Sequence, residues 1–247
     1  MLKSFSSALS FLTIFRIPFT VPVSTREELA AGVACFPLAG LVLGLIYYTA
    51  ASALNGRVPT LLLSVMVAST TVILTRGLHF DGLADFADGI WGGATPERRL
   101  EIMKDSRIGA FGVLALIMGI SLKIASIDAL IAGGYFIPLL LAPVFSRFAM
   151  AATAYGGKYA RKDGLAKFFL EDLKFEHLVI AAMLTAAAAL PAGLKFMLYF
   201  APVLGCVFLF RQISDKYLGG ITGDVLGAVN EVSEIVILVL GACTISR

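Results

Sequence analysis

Residues 60–90 read TLLLSVMVASTTVILTRGLHFDGLADFADGI. The run from Thr60 to Thr75 carries no charge, and at 1.5 Å per residue it makes about 24 Å of helix, against about 30 Å for the hydrocarbon core of a bilayer. Read as a membrane span that runs on toward Leu78 and Phe80, it delivers Asp81 to the membrane surface. Beyond it, Asp81, Asp85 and Asp88 stand at i, i+4 and i+7, within about 60° of one another on a helix that turns 100° per residue. One short stretch therefore implies an all-α membrane fold and an acidic stripe at its edge.

The remainder of the chain agrees. Of 247 residues, 58% are hydrophobic and only 15% charged, the composition of a polytopic integral membrane helix bundle. Further spans are expected over 29–53, 108–131, 135–154, 178–190, 196–210 and 224–245, which makes about seven transmembrane helices in a single membrane-embedded catalytic domain covering 1–247. The short spans 178–190 and 196–210 form a hairpin through 191–195. Gly40 and Gly44 have the spacing that lets a second helix approach closely. The apolar segment 1–18 is too short to span and reads as an N-terminal interfacial helix; no small-x-small cleavage site follows it, as a signal peptide would require.

Composition also excludes. The net charge is +3 with no basic run interleaved with aromatics, so nucleic acid is not an expected partner. Cys35, Cys206 and Cys243 lie far apart without CxxC spacing, hence neither a disulfide framework nor a zinc site. Fifteen of the twenty Lys and Arg fall in the N-terminal segment and the second, fourth and sixth loops. The positive-inside rule then puts the N-terminus in the cytoplasm. The same side collects the acidic stripe, the segment Asp105–Arg107, the basic loop 155–177 and the Gly-Thr-Gly-Asp sequence before the last span, which together define one cytoplasm-facing site.

Like charges at i, i+4 repel on a helix, and the helix from Leu78 to Ile90 offers no Lys or Arg to balance them. A divalent metal does so, because carboxylates are hard ligands suited to Mg²⁺ or Mn²⁺; the alternative is a solvated face balanced by Arg98, Arg99 and Lys104. Carboxylates for Mg²⁺ beside Arg and Lys suit a substrate that carries phosphates. Thr95 and Pro96 read as N-cap and first residue of a short helix. Asp224 follows Gly-Thr-Gly and is either a helix cap or a site carboxylate. Glu231, two turns on, must face the bundle interior or a polar cavity. Arg147, inside a span, is expected to pair with a buried acid or to snorkel rather than to act catalytically. His79 is either a base or substrate contact or an interfacial histidine without a chemical task.

Three segments carry a resemblance: Leu78-HFDGLADFADG-Ile90, Arg99-LEIMKDSRIGAFG-Val113 and Gly220-ITGDVLGA-Val229. They closely resemble the cobalamin synthase family, also called adenosylcobinamide-GDP ribazoletransferase or cobalamin 5′-phosphate synthase, over essentially the full length. The resemblance implies a Mg²⁺-dependent enzyme of the bacterial inner membrane. It transfers the adenosylcobinamide-phosphate group from adenosylcobinamide-GDP to α-ribazole or α-ribazole 5′-phosphate, releases GMP and completes the nucleotide loop of vitamin B12. On this reading Asp81, Asp85, Asp88 and Asp105 hold magnesium and take part in catalysis. Lys104 and Arg107 steady phosphates; Lys158, Arg161 and Lys162 serve the ribazole 5′-phosphate; His79, Asp224 and Glu231 contact substrate. A homo-oligomer and docking of other B12-assembly enzymes are left open.

Three rivals differ in pattern. A CDP-alcohol phosphotransferase follows its second aspartate with a different spacing, whereas here Asp85 is followed by Phe-Ala-Asp. An intramembrane prenyltransferase needs two acidic helices, which Asp224, Glu231 and Glu234 match only loosely. A metal transporter would place its carboxylates at the bilayer midplane.

Overall fold

The computed structural model describes residues 2–17 and 25–245, and these form helices joined by turns, with no strand among them. In chain order the helices are α1 (Leu2–Leu12), α2 (Arg26–Val33), α3 (Phe36–Leu54), α4 (Thr60–Thr75), α5 (Leu78–Gly92), α6 (Pro96–Ile102), α7 (Ala110–Ala132), α8 (Ile137–Ala154), α9 (Leu165–Glu171), α10 (Phe175–Ala189), α11 (Met197–Leu218) and α12 (Gly223–Ile245), with a 3₁₀ turn over Leu190–Phe196. Of the expected interfacial segment 1–18, Met1 and Pro18 lie outside the described residues.

Helix α8 forms the axis of the bundle: every residue from Pro138 to Ala154 is buried, and α3, α10, α11 and α12 pack around it. The Gly40/Gly44 reading holds, because a Cβ on Gly40 would strike the carbonyl of Pro143 and one on Gly44 the carbonyl of Leu140. Backbone-to-backbone contact of this kind is how helices associate where lipid supplies no hydrophobic drive. Helices α4 and α7 turn Leu61, Leu62, Met66, Ile73, Leu114, Ile117 and Met118 outward, as spans facing hydrocarbon would.

Five described helical stretches are long and apolar enough to cross a membrane: Phe36–Leu54, Ala110–Ala132, Ile137–Ala154, Phe175–Leu194 and Gly223–Thr244. A sixth results if α4 and α5 are one broken span. The first expected span, 29–53, is interrupted at Ala34–Cys35, and α3 restarts with Pro37 in its first turn, a position where the missing N–H costs nothing. The segment 196–210 extends to Leu218 as α11. Both α10 and α11 lean on α8. The N-terminal helix α1 docks on α2 and α3, burying Ala8, Leu9 and Leu12, and Phe11 stacks on Phe36 with ring centroids 6.1 Å apart.

The continuation of α4 toward Phe80 does not occur. Arg76 and Gly77 both take left-handed backbone conformations, with φ of 56° and 68°, and the chain turns by 88° between α4 and α5. Gly77 pays no steric penalty there, and its N–H closes the helix end on the carbonyl of Val72 at 2.8 Å. Because of this bend α5 lies across the bundle, where its flanks meet α12 and α7. Gly82 of α5 meets Gly227 of α12 so closely that a Cβ on Gly82 would sit 3.1 Å from the Gly227 Cα.

Candidate active site

Four pieces of chain converge where α8 ends and α12 begins. Helix α5 supplies Asp81 and Asp85; the turn after α6 supplies Lys104 and Asp105; the loop after α8 supplies Arg161; the first turn of α12 supplies Asp224. Each is placed by local chemistry. Thr95 caps α6 by accepting from Arg98 N–H at 3.3 Å, with Pro96 following as expected. The basic loop is stitched to α12 by a pair of main-chain hydrogen bonds, Ile221 N–H to the Lys158 carbonyl at 2.7 Å and Ala160 N–H to the Ile221 carbonyl at 3.0 Å. This sets Arg161 against Asp224, and the two form an ion pair.

Thr222, rather than Asp224, caps α12. Its hydroxyl accepts from Val225 N–H at 3.3 Å, so the Asp224 carboxylate is left for Arg161 and the cavity.

Two cavities meet at this point, sharing Leu78, Asp81 and Lys104. The larger, about 770 Å³, is bordered by Asp81, Asp85, Asp105, Ser106, Lys104 and Arg76. The smaller, about 270 Å³, runs from Asp81, Arg161 and Asp224 into an apolar interior. Asp85 lies within electrostatic reach of Asp224, Asp81 and Asp88, with Arg161 the opposing cation. Such an unbalanced group of acids in a cleft is the signature of a functional site more than of a stabilising one.

The four aspartates expected to hold magnesium, Asp81, Asp85, Asp88 and Asp105, are not gathered at one point. Among the described residues, no three His, Cys, Asp or Glu side chains are grouped closely enough to hold an ion alone. Asp88 is buried and turned toward α7, where its two oxygens accept from Gly109 N–H at 2.7 Å and Gly112 N–H at 2.8 Å. It caps that helix from outside, satisfying two of the four donors that a helix start leaves open. Both partners are glycines because a Cβ on either would collide with the carboxylate. Asp105 is held by Arg107, guanidinium to carboxylate at 2.6 Å. Those hydrogen bonds hold the Asp105 carboxyl down at about 2, so it stays charged across the working pH range. Magnesium, however, is commonly bound by one or two carboxylates together with waters and substrate phosphates, and Asp81 with Asp85 on one cavity wall fits that mode.

A direct test separates the roles of these acids. Asp88→Ala should destabilise the purified protein by the ~1 kcal/mol typical of a lost helix cap or somewhat more, read as a lower melting temperature, with the affinity for Mg²⁺ unchanged. A loss of metal affinity at unchanged melting temperature would return Asp88 to the metal site.

The other expected residues divide. His79 borders the smaller cavity, buried to 1% exposure, and among the described residues neither ring nitrogen has a hydrogen-bond partner. Of the three cations expected from the basic loop, only Arg161 lines the cavity; Lys158 and Lys162 are exposed, and the Lys162 carbonyl accepts from Lys167. Arg107 is spent on Asp105. Glu231 is not on the cavity: it is fully buried and bound to Lys123 of α7 at 2.7 Å. Lys123 also reaches Glu234 at 3.1 Å, and Glu234 pairs with Arg147, the buried acid expected for that arginine. Lys123 is the residue that sequence reasoning passed over; its partners are more than a hundred positions away, and only its charge inside an apolar run gave a signal.

Known proteins resemble the chain over nearly its whole length. A family model described as cobalamin-5-phosphate synthase matches residues 4–242. The chain is 52% identical to an adenosylcobinamide-GDP ribazoletransferase of Syntrophobacter fumaroxidans, over 98% of this chain and 99% of the relative. It is 36% identical to the protein of that name from Geotalea daltonii, over 96% of each, and 38% identical to the one from Pseudomonas savastanoi pv. phaseolicola, over 94% of this chain and 95% of the relative. No solved structure matches the chain.

Proposed function

This chain belongs to the cobalamin-5-phosphate synthase family, and from that premise we propose how its residues carry out the transfer. It is an adenosylcobinamide-GDP ribazoletransferase, a transferase of cobalamin biosynthesis that performs the nucleotide-loop assembly step. The observation that carries the mechanism is the meeting of Asp81, Asp85 and Asp224 with Arg161 and Lys104 where two cavities join.

In that mechanism a ribose hydroxyl of α-ribazole, or of its 5′-phosphate, attacks the phosphorus next to cobinamide. The bond from that phosphorus to the GMP oxygen breaks. Asp81 and Asp85 would hold magnesium, which when bound neutralises charge on the diphosphate oxygens. Asp224, bordering the smaller cavity, takes the hydroxyl proton. Its neutralisation frees the Arg161 guanidinium to turn to the phosphate, and Lys104 at the shared wall adds a second cation for the departing GMP.

We place the site on the cytoplasmic face of the bacterial inner membrane, with the N-terminus on the same side. Support comes from the fifteen of twenty Lys and Arg that fall on the loops of that side. The cavity-lining residues Arg76, Asp81, Asp85, Lys104, Asp105 and Arg161 come from two of those same loops.

The test is GMP release from adenosylcobinamide-GDP by solubilised protein. Release should require both an α-ribazole acceptor and Mg²⁺, and EDTA should abolish it. GMP formed at the same rate with EDTA would remove the metal from the mechanism; CMP release from a CDP-linked donor in its place would favour the headgroup-transferase reading.

A further inference from the structure

The two cavities differ in chemistry as well as size. The larger is open and lined by carboxylates and cations. The smaller is close to the lower end of the about 300–1,000 Å³ typical of small-molecule sites and far too small for a corrin. Its polar rim is Asp81, Lys104, Tyr159, Arg161, Asp163 and Asp224, and the rest of the wall is mainly apolar, with Phe11, Phe36, Met150, Ala154 and Leu226. On this wall stands His79, buried, with neither ring nitrogen hydrogen-bonded among the described residues. The Arg161 Nε, on the wall of the same cavity, is likewise buried and without a partner among the described residues. An unmet buried donor or acceptor costs about 1–3 kcal/mol, so these groups call for a ligand with flat apolar faces and a hydrogen-bonding heteroatom held at depth.

Resting on the ribazoletransferase reading, we propose that the smaller cavity is the acceptor pocket. The aromatic base of the ribazole enters against the stacked Phe11 and Phe36 and the Met150 side chain, with its ribose at Asp81 and Asp224. The base's ring nitrogen that bears no ribose accepts a hydrogen bond from His79. The larger cavity then takes the diphosphate of the donor, and the reacting atoms meet at the shared wall of Asp81 and Lys104. His79 is on this assignment a specificity residue for the acceptor, with no part in the chemistry at phosphorus.

Initial rates of GMP release by the solubilised full chain decide it, with acceptor varied at saturating donor and donor varied at saturating acceptor. His79→Ala should raise the acceptor KM about tenfold or more, with kcat within about threefold and the donor KM unchanged, the pattern of lost ground-state binding. His79→Gln, which keeps a donor, should recover part of the loss, and Ala154→Leu, which fills the pocket, should raise the same KM. The wild-type chain offers a measurement that no folding defect can cloud: free 5,6-dimethylbenzimidazole, the base alone, should inhibit competitively with the acceptor and not with the donor. Competition with the donor, no inhibition up to the solubility of the base, or an unchanged acceptor KM in His79→Ala would overturn the assignment. Absence of turnover in wild type would overturn the function on which it rests; normal turnover with any of those patterns would overturn the pocket alone.

Discussion

Asp85→Asn is expected to cut GMP release by about a thousandfold or more, the scale of losing an electrostatic contact made to the transferring phosphoryl group, while the protein still inserts and folds. The substitution keeps size and shape and removes only charge. Among the described residues Asp85 makes no hydrogen bond or ion pair, unlike Asp88 with its two glycine N–H partners. Its surroundings are instead the like charges of Asp224 and Asp81, so neutralising it relieves repulsion. The variant should therefore melt at or above the wild-type temperature in the absence of substrate, the stability-for-function exchange common at active sites. Turnover near wild type would remove Asp85 from the site; inactivity accompanied by a lowered melting temperature would make it structural.

The second large effect lies inside the bundle and should appear in stability first. Lys123→Met removes the cation that holds Glu231 at 2.7 Å and Glu234 at 3.1 Å, all three side chains being 2% exposed or less. Breaking a buried pair by deleting one partner typically costs 3–5 kcal/mol, because an uncompensated charge is left behind. Lys123→Met should accordingly lower yield and melting temperature in detergent sharply. Adding Glu231→Gln should recover most of the loss, since Arg147 remains to balance Glu234. A single variant as stable as wild type would show that the network is not sealed from water. The network also touches the site, since the Lys123 ammonium sits 4.8 Å from the centre of the Phe80 ring, one residue before Asp81.

Much of this was legible in sequence because it depends on local pattern. Apolar runs implied the helices, the Thr95-Pro96 pair marked the start of α6, Gly40 and Gly44 marked a close crossing, and Arg147 called for a buried acid. The carboxylates at i and i+4 pointed to the cavity wall that Asp81 and Asp85 line. What the pattern missed depends on partners distant in sequence. Asp88 shares the stripe's spacing, yet its role is decided by Gly109 and Gly112, which arrive from another helix. Glu231 looked like a substrate contact because Lys123, its partner, is far away. Some misses did have local signs: Gly77 is a helix-ending residue placed where the span was extended, and Pro37 marked a restart within the first span.

The contact of Gly82 with Gly227 has a mechanical meaning. Two main chains touch there with no side-chain layer between them, and one belongs to the helix that bears Asp81 and Asp85, the other to the span that bears Asp224. A lipid bilayer thinner or thicker than the apolar length of α12 is accommodated by tilting such a helix. With no soft layer between the two main chains, tilt of α12 carries α5 along with it, so Asp81, Asp85 and Asp224 keep their spacing. Bilayers of different thickness should accordingly reorient the cluster of acids as a unit and not spread it.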